Sequence, residues 1–147
     1  MNRCCQSAEG EILLFTCAGA AHCGQVANRA AIELTRAGDG RIFCLAAVAA
    51  GIVDKTERAR RAGVRVAIDG CEDHCTRKTL EKAGLTADVH VELTAIGIEK
   101  KPPRPSLIAD GRKAAERVRQ LLAGLPRRSP GTAESSLHPD DGITGGA

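Results

Sequence analysis

Three apolar runs in this sequence each end on a cysteine. Glu11-Ile-Leu-Leu-Phe-Thr-Cys17 is the first and Arg41-Ile-Phe-Cys44 the second. The third, Val64-Arg-Val-Ala-Ile-Asp-Gly-Cys71, is followed four residues on by Cys75. Runs of this length and composition are strand-sized. If they lie side by side in one parallel sheet, Cys17, Cys44 and Cys71 share its carboxyl edge. Neighbouring strands sit about 4.8 Å apart, which brings such thiols within reach of one ion. Cys75, one helical turn past Cys71, supplies a fourth donor.

Four thiolates suit a tetrahedral zinc or another thiophilic metal. The same four suit an iron–sulfur cluster, and the residue types favour zinc only mildly. A redox dithiol is the next rival: a cysteine at a helix N-terminus, as Cys75 would be, is expected to have a lowered pKa. Its Cys-x3-Cys spacing from Cys71 is not the usual redox Cys-x-x-Cys, however. The bland alternative is that buried cysteine packs as a small hydrophobe. It weakens when three strand-end cysteines share an edge. Cys23, His22 and His74 lie beside these thiols and are further candidate ligands, although histidines flanking a ligand are more often bystanders. Asp69 is expected to shape the tight turn before Cys71, the alternative being to orient a ligand. Four thiolates around one zinc leave a net negative charge. Amides at the starts of the helices after the first and third strands offset it, with Lys78 and Lys100 as counter-charges. Two other chemistries are disfavoured. The phosphate loop of cysteine phosphatases and arsenate reductases needs an arginine where this chain has Cys23, and no Gly-x-Gly-x-x-Gly follows the first strand.

The elements that must position these residues alternate. Residues 11–16 read as a buried strand and residues 24–37 as an amphipathic helix stopped by Gly38. Residues 41–45 form the second strand, and residues 46–62 a helix broken at Gly51. The third strand is 64–68, followed by a short helix over 75–83. Residues 88–93 alternate apolar and polar, the pattern of an edge strand with one wet face that carries His90. A proline-rich crossover, 101–105, leads to a last helix over 107–123. Strands alternating with helices predict an α/β protein. The expected fold is three-layered and Rossmann- or flavodoxin-like, with a mostly parallel four-stranded sheet in the order 2-1-3-4. Sites in such folds form at the carboxyl ends of the strands, near the switch point. The domain is expected to span 11–124, between a loose N-terminal arm at 1–10 and a disordered tail at 125–147. Cys4 and Cys5 fall in the arm and are read as incidental; His138 falls in the tail.

Composition narrows the function. The 147 residues suit one domain. Aromatic content is 1%, two Phe and no Tyr or Trp, so the core rests on Ala, Val, Ile and Leu. Few rings remain for stacking on bases, and the net charge is only +3, so no nucleic-acid partner is indicated. The apolar runs are too short for a leader or a bilayer span. The chain therefore reads as cytoplasmic, with no membrane partner, its protein partners open and its seven cysteines kept for metal or thiol chemistry rather than disulfides.

With these residues laid out, the chain resembles the DGC-domain family, zinc-binding proteins by proposal, named for an Asp-Gly-Cys motif. The matching segments are Cys17-Ala-Gly19, Gly24-Gln-Val-Ala-Asn-Arg-Ala-Ala31, Cys44-Leu-Ala and Ala67-Ile-Asp-Gly-Cys71. Cys75 with Lys78, Leu80-Glu-Lys-Ala-Gly84 and Gly97-Ile-Glu-Lys100 complete the match over about residues 11–101. The resemblance implies zinc held by Cys17, Cys44, Cys71 and Cys75. Cys23 departs from it, since the family more often has a small hydroxyl residue there, and a fifth thiol leaves the ligand set open. The expected function is a metal-binding module. The alternative keeps the same cysteines for redox, iron–sulfur or metal-assisted chemistry with an open coordination position. No general base is placed for catalysis, which favours the module.

Overall fold

The computed structural model describes residues 10–125, so the expectations for the N-terminal arm before Gly10, including Cys4 and Cys5, and for the tail after Leu125 lie outside the described residues. The elements are β1 (Ile12–Thr16), α1 (His22–Ala37), β2 (Arg41–Ile42), α2 (Leu45–Ala49), α3 (Val53–Arg60), β3 (Val64–Asp69), α4 (Cys75–Lys82), β4 (Val89–Glu92) and α5 (Leu107–Ala123). The four strands form one all-parallel sheet in the order β2-β1-β3-β4. The expected topology is present, with β4 at an edge. The chain winds to β2 on one side of β1 and to β3 and β4 on the other, so the switch point lies between β1 and β3. Their carboxyl ends open there.

Alternation along the strands divides the core. Leu14, Val66, Ile68, Val89 and Val91 face α1 and α5, where Val26, Ala27, Ala30, Leu34, Ala114, Ala115 and Val118 fill the space. Leu13, Phe15 and Ala67 face the other way, against Phe43, Val48, Ala59, Leu80 and Leu85. With no large aromatic residue on the first face, the alanines let α1 and α5 approach closely. A Cβ on Gly111 would lie 2.4 Å from Cγ of Arg29.

Local signals explain most boundaries. Gly38 ends α1 in the left-handed region at φ 82°, with Asp39 N–H donating to Leu34 O. Gly51, at φ 70°, breaks the segment after β2 into two helices. Two boundaries differ from expectation in ways that bear on the cysteines. β2 stops at Ile42, because the chain turns at Cys44, the N-cap of α2. α1 starts two residues early, at His22, which puts Cys23 inside its first turn. No helix among the described residues is long and apolar enough to cross a membrane.

Candidate functional site

Cys17 leaves β1 still paired, its N–H donating to Ile68 O at 3.0 Å. A loop of small residues then reaches α1, whose first turn carries Cys23, 1% exposed. On the neighbouring strand, β3 ends at Asp69 and the chain passes through Gly70 to Cys71. Gly70 lies directly against the start of α1: a Cβ there would meet Gly24 N at 2.8 Å and the Cys23 carbonyl carbon at 2.9 Å. Gly24 in turn abuts Gly19, which a Cβ would approach to 2.7 Å at its oxygen. Three glycines thus bring the β1 loop, the α1 terminus and the Asp-Gly-Cys turn into backbone contact.

Around this contact, the charges of Cys17 and Cys71 act on both Cys23 and Cys75. Burial, then the charges of Cys71 and Cys17, pushes the Cys23 thiol up. The protein packed beneath Cys75, then the charges of Cys17, Asp73, Asp69 and Cys71, pushes its thiol up as well. The lowered pKa expected for Cys75 is therefore reversed. The positive end of α4 is already occupied by the Asp69 carboxylate, which leaves the thiol among anions. Cys44 stands differently, solvent-exposed at the N-cap of α2. Cys71 Sγ donates to Asp73 Oδ2 at 3.3 Å. Lys100 Nζ donates to the same carboxylate oxygen at 2.8 Å and lies against the Cys71 sulfur, contacts that raise the lysine and hold Asp73 low. The expected counter-charge role thus falls to Lys100, with Lys78 acting on Asp73 only through its more distant charge.

Neither flanking histidine has a free ring nitrogen. His22 Nδ1 accepts from Arg104 N–H at 3.1 Å, and its Nε2 donates to Asp110 at 2.8 Å. His22 N–H also donates to Lys101 O, so the residue clamps the proline-rich crossover to α1 and α5. The His22 and Ser106 hydrogen bonds hold the Asp110 carboxyl below its ordinary value of 3.8. A depressed folded value contributes stability that is present above the ordinary value and lost as pH falls through the folded one. Asp110→Asn should therefore lower stability by about 1 kcal/mol at neutral pH and flatten the acid limb below about pH 4. Thermal melts across that range check this; an unchanged acid limb would show that the clamp does not report on folding.

His74 is the one non-glycine residue at positive φ among the described residues, at 50°. Its Nε2 donates to Glu92 at 2.8 Å, and Arg77 donates to its Nδ1 at 3.1 Å. His90 meets His74 edge to face at 5.0 Å and donates to Asp69 Oδ2 at 3.0 Å. The polar face of β4 is therefore not the wet face expected of it. His90 and Glu92 are about one quarter exposed, lie on the α4 side of the sheet and build a network with β3 and α4. The Thr94 hydroxyl, then His74, holds the Glu92 carboxyl low. Asp69, 1% exposed, accepts from Thr76 N–H at 2.7 Å and Arg77 N–H at 3.2 Å. It thus caps α4 from the strand before it, rather than merely shaping the turn. The pairing of alternate residues His90 and Glu92 was the sequence signal for this network.

In chemical kind, thiolates are soft donors that suit a thiophilic cation, and Lys100 is the cation that lies against Cys71. As they stand, no three His, Cys, Asp or Glu side chains among the described residues form a group that could hold a metal ion.

Comparison with known proteins adds a family and a relative. The family model for the DGC domain matches residues 13–118. The anaerobic and virulence modulator AnvM of Pseudomonas aeruginosa is 27% identical over 110 residues, covering 75% of this chain and 84% of that protein. No solved structure matches.

Proposed function

The chain belongs to the DGC-domain family, and from that membership and the gathered thiols we propose that it is a metal-binding module holding zinc through cysteine thiolates at the carboxyl edge of its sheet. What supports the reading is that the charges of Cys17 and Cys71 act on Cys23 and Cys75 across the Gly70–α1 contact, with the Lys100 ammonium against Cys71. Cys17, Cys71 and Cys75 are the proposed core of the ligand set. Cys44 is the fourth by family resemblance, and Cys23 its competitor by position. The thiols do not make a closed shell as placed, so binding must draw them together. When bound, zinc would supply charge neutralisation and a tetrahedral crosslink between β1, β3 and α4.

The test is elemental analysis of protein purified anaerobically without a histidine tag, with its visible spectrum. About one zinc per chain and no colour is the expected result. Cys71→Ser should lower the metal content several-fold and Cys4→Ser should leave it unchanged; equal content in both would end the reading. Comparing Cys44→Ser with Cys23→Ser identifies the fourth ligand. Iron with sulfide and a brown absorbance would replace zinc by a cluster, and absent metal with reactive thiols would leave a redox protein.

A further inference from the structure

Cys23, the competitor of Cys44 for the fourth ligand position, is almost fully buried. Its backbone touches the residue before Cys71: the Cβ position of Gly70 lies 2.9 Å from the Cys23 carbonyl carbon. One further residue advances the chain by about 3.8 Å, and a disulfide bridges Cα atoms about 4.4–6.8 Å apart. The thiols of Cys23 and Cys71 lie in the same buried cluster on the α1 side of the sheet. The two differ in access. Cys71 is 9% exposed and its Sγ donates to Asp73, which pairs with Lys100 at the surface, so a small oxidant reaches this sulfur before the other. Cys23, 1% exposed, is reached only from within.

We infer that Cys71 and Cys23 are a peroxide-reactive pair, Cys71 the sulfur attacked first and Cys23 the resolving thiol. The Cys71 thiolate displaces hydroxide from hydrogen peroxide, breaking the O–O bond and forming a sulfenic acid. The Cys23 sulfur then attacks the Cys71 sulfur, the S–O bond breaks, and water leaves with the Cys23 proton. The two sulfurs together give up two electrons, and the peroxide accepts both. The Lys100 ammonium stands where the departing hydroxide needs a cation. The product takes a thiol from the rim, and a metal held there would be released. That consequence rests on the zinc reading above; the pairing does not.

The full chain, reduced and stripped of metal with a chelator, is treated with an equimolar amount of hydrogen peroxide. It is then digested without reduction and mapped by fragmentation mass spectrometry. The Cys23–Cys71 linkage should exceed any other cysteine pair about tenfold, and Cys23→Ala should instead accumulate over-oxidised Cys71. A dominant Cys17–Cys75 or Cys71–Cys75 bond, or no bond, overturns the pairing, and the wild-type map decides this even if the variant folds poorly. In zinc-loaded protein, peroxide should release the metal about tenfold more slowly from Cys23→Ala than from wild type. Equal rates would overturn the proposed release. A protein that takes up no zinc refutes the proposed function alone, and the metal-free map still judges the pair.

Discussion

Gly70→Ala should lower the unfolding free energy by about 2–3 kcal/mol, the cost of overpacking a site that cannot relax, and should reduce metal uptake with it. Backbone conformation is not the reason, since Gly70 is not among the glycines with positive φ. Space is. The added Cβ would fall 2.8 Å from Gly24 N and 2.9 Å from the Cys23 carbonyl carbon. Both are main-chain atoms in the first turn of α1, so no side-chain rotation relieves the clash. Either α1 shifts, disturbing Val26, Ala27 and Ala30 in the core, or the Asp-Gly-Cys turn backs away and carries Cys71 from Cys17 and Cys23. Gly124→Ala is the control. Its φ is −81° and its nearest new contact 3.5 Å, so its effect should stay within about 0.5 kcal/mol. Urea denaturation of both variants measures the difference. If Gly70→Ala melts like wild type, the close approach of the turn to α1 is wrong, and so is the account of how the thiols are gathered.

The strand order, the helix stops at Gly38 and Gly51, and the limits of α5 were legible because each rests on a local signal: apolar runs, glycines, or a proline-rich lead-in. Three features of the site were not. Alternation in β4 shows that His90 and Glu92 share a face, but not that α4 and β3 cover it. The helix N-terminus at Cys75 predicts a lowered thiol pKa only while the terminus is free. Asp69, six residues earlier and on another element, fills it instead. By sequence the helix starts at Gly24, which leaves Cys23 outside it. The turn formed by His22, held by Lys101, Arg104 and Asp110 from far along the chain, draws it into the core. In each case the deciding partner is distant in sequence, where spacing is silent.

Asp69→Ala should cost more than any other single polar substitution in the site, about 3–4 kcal/mol. Its buried carboxylate accepts from the amides of Thr76 and Arg77 and from His90. The first two are the second and third helical residues of α4, where capping acts. The residue at the N-cap, His74, contributes no side-chain cap and turns instead to Glu92 and Arg77. Losing a cap costs about 1–2 kcal/mol, and stranding buried donors of a charged acceptor adds about 1–3 kcal/mol. The contributions overlap, which keeps the total below their sum. Asp69→Asn keeps the shape and one acceptor but turns an amide donor toward other donors, so about half the loss is expected. The network makes a sharper claim through His90. In the wild-type background His90→Ala should cost about 1 kcal/mol; in the Asp69→Ala background it should cost almost nothing, since its acceptor is gone. Fully additive losses in this double-mutant cycle, followed by urea denaturation, would show that the two act separately. Asp69 would then serve α4 alone, and the His74, His90 and Glu92 cluster would need another reason to sit beneath the thiol rim.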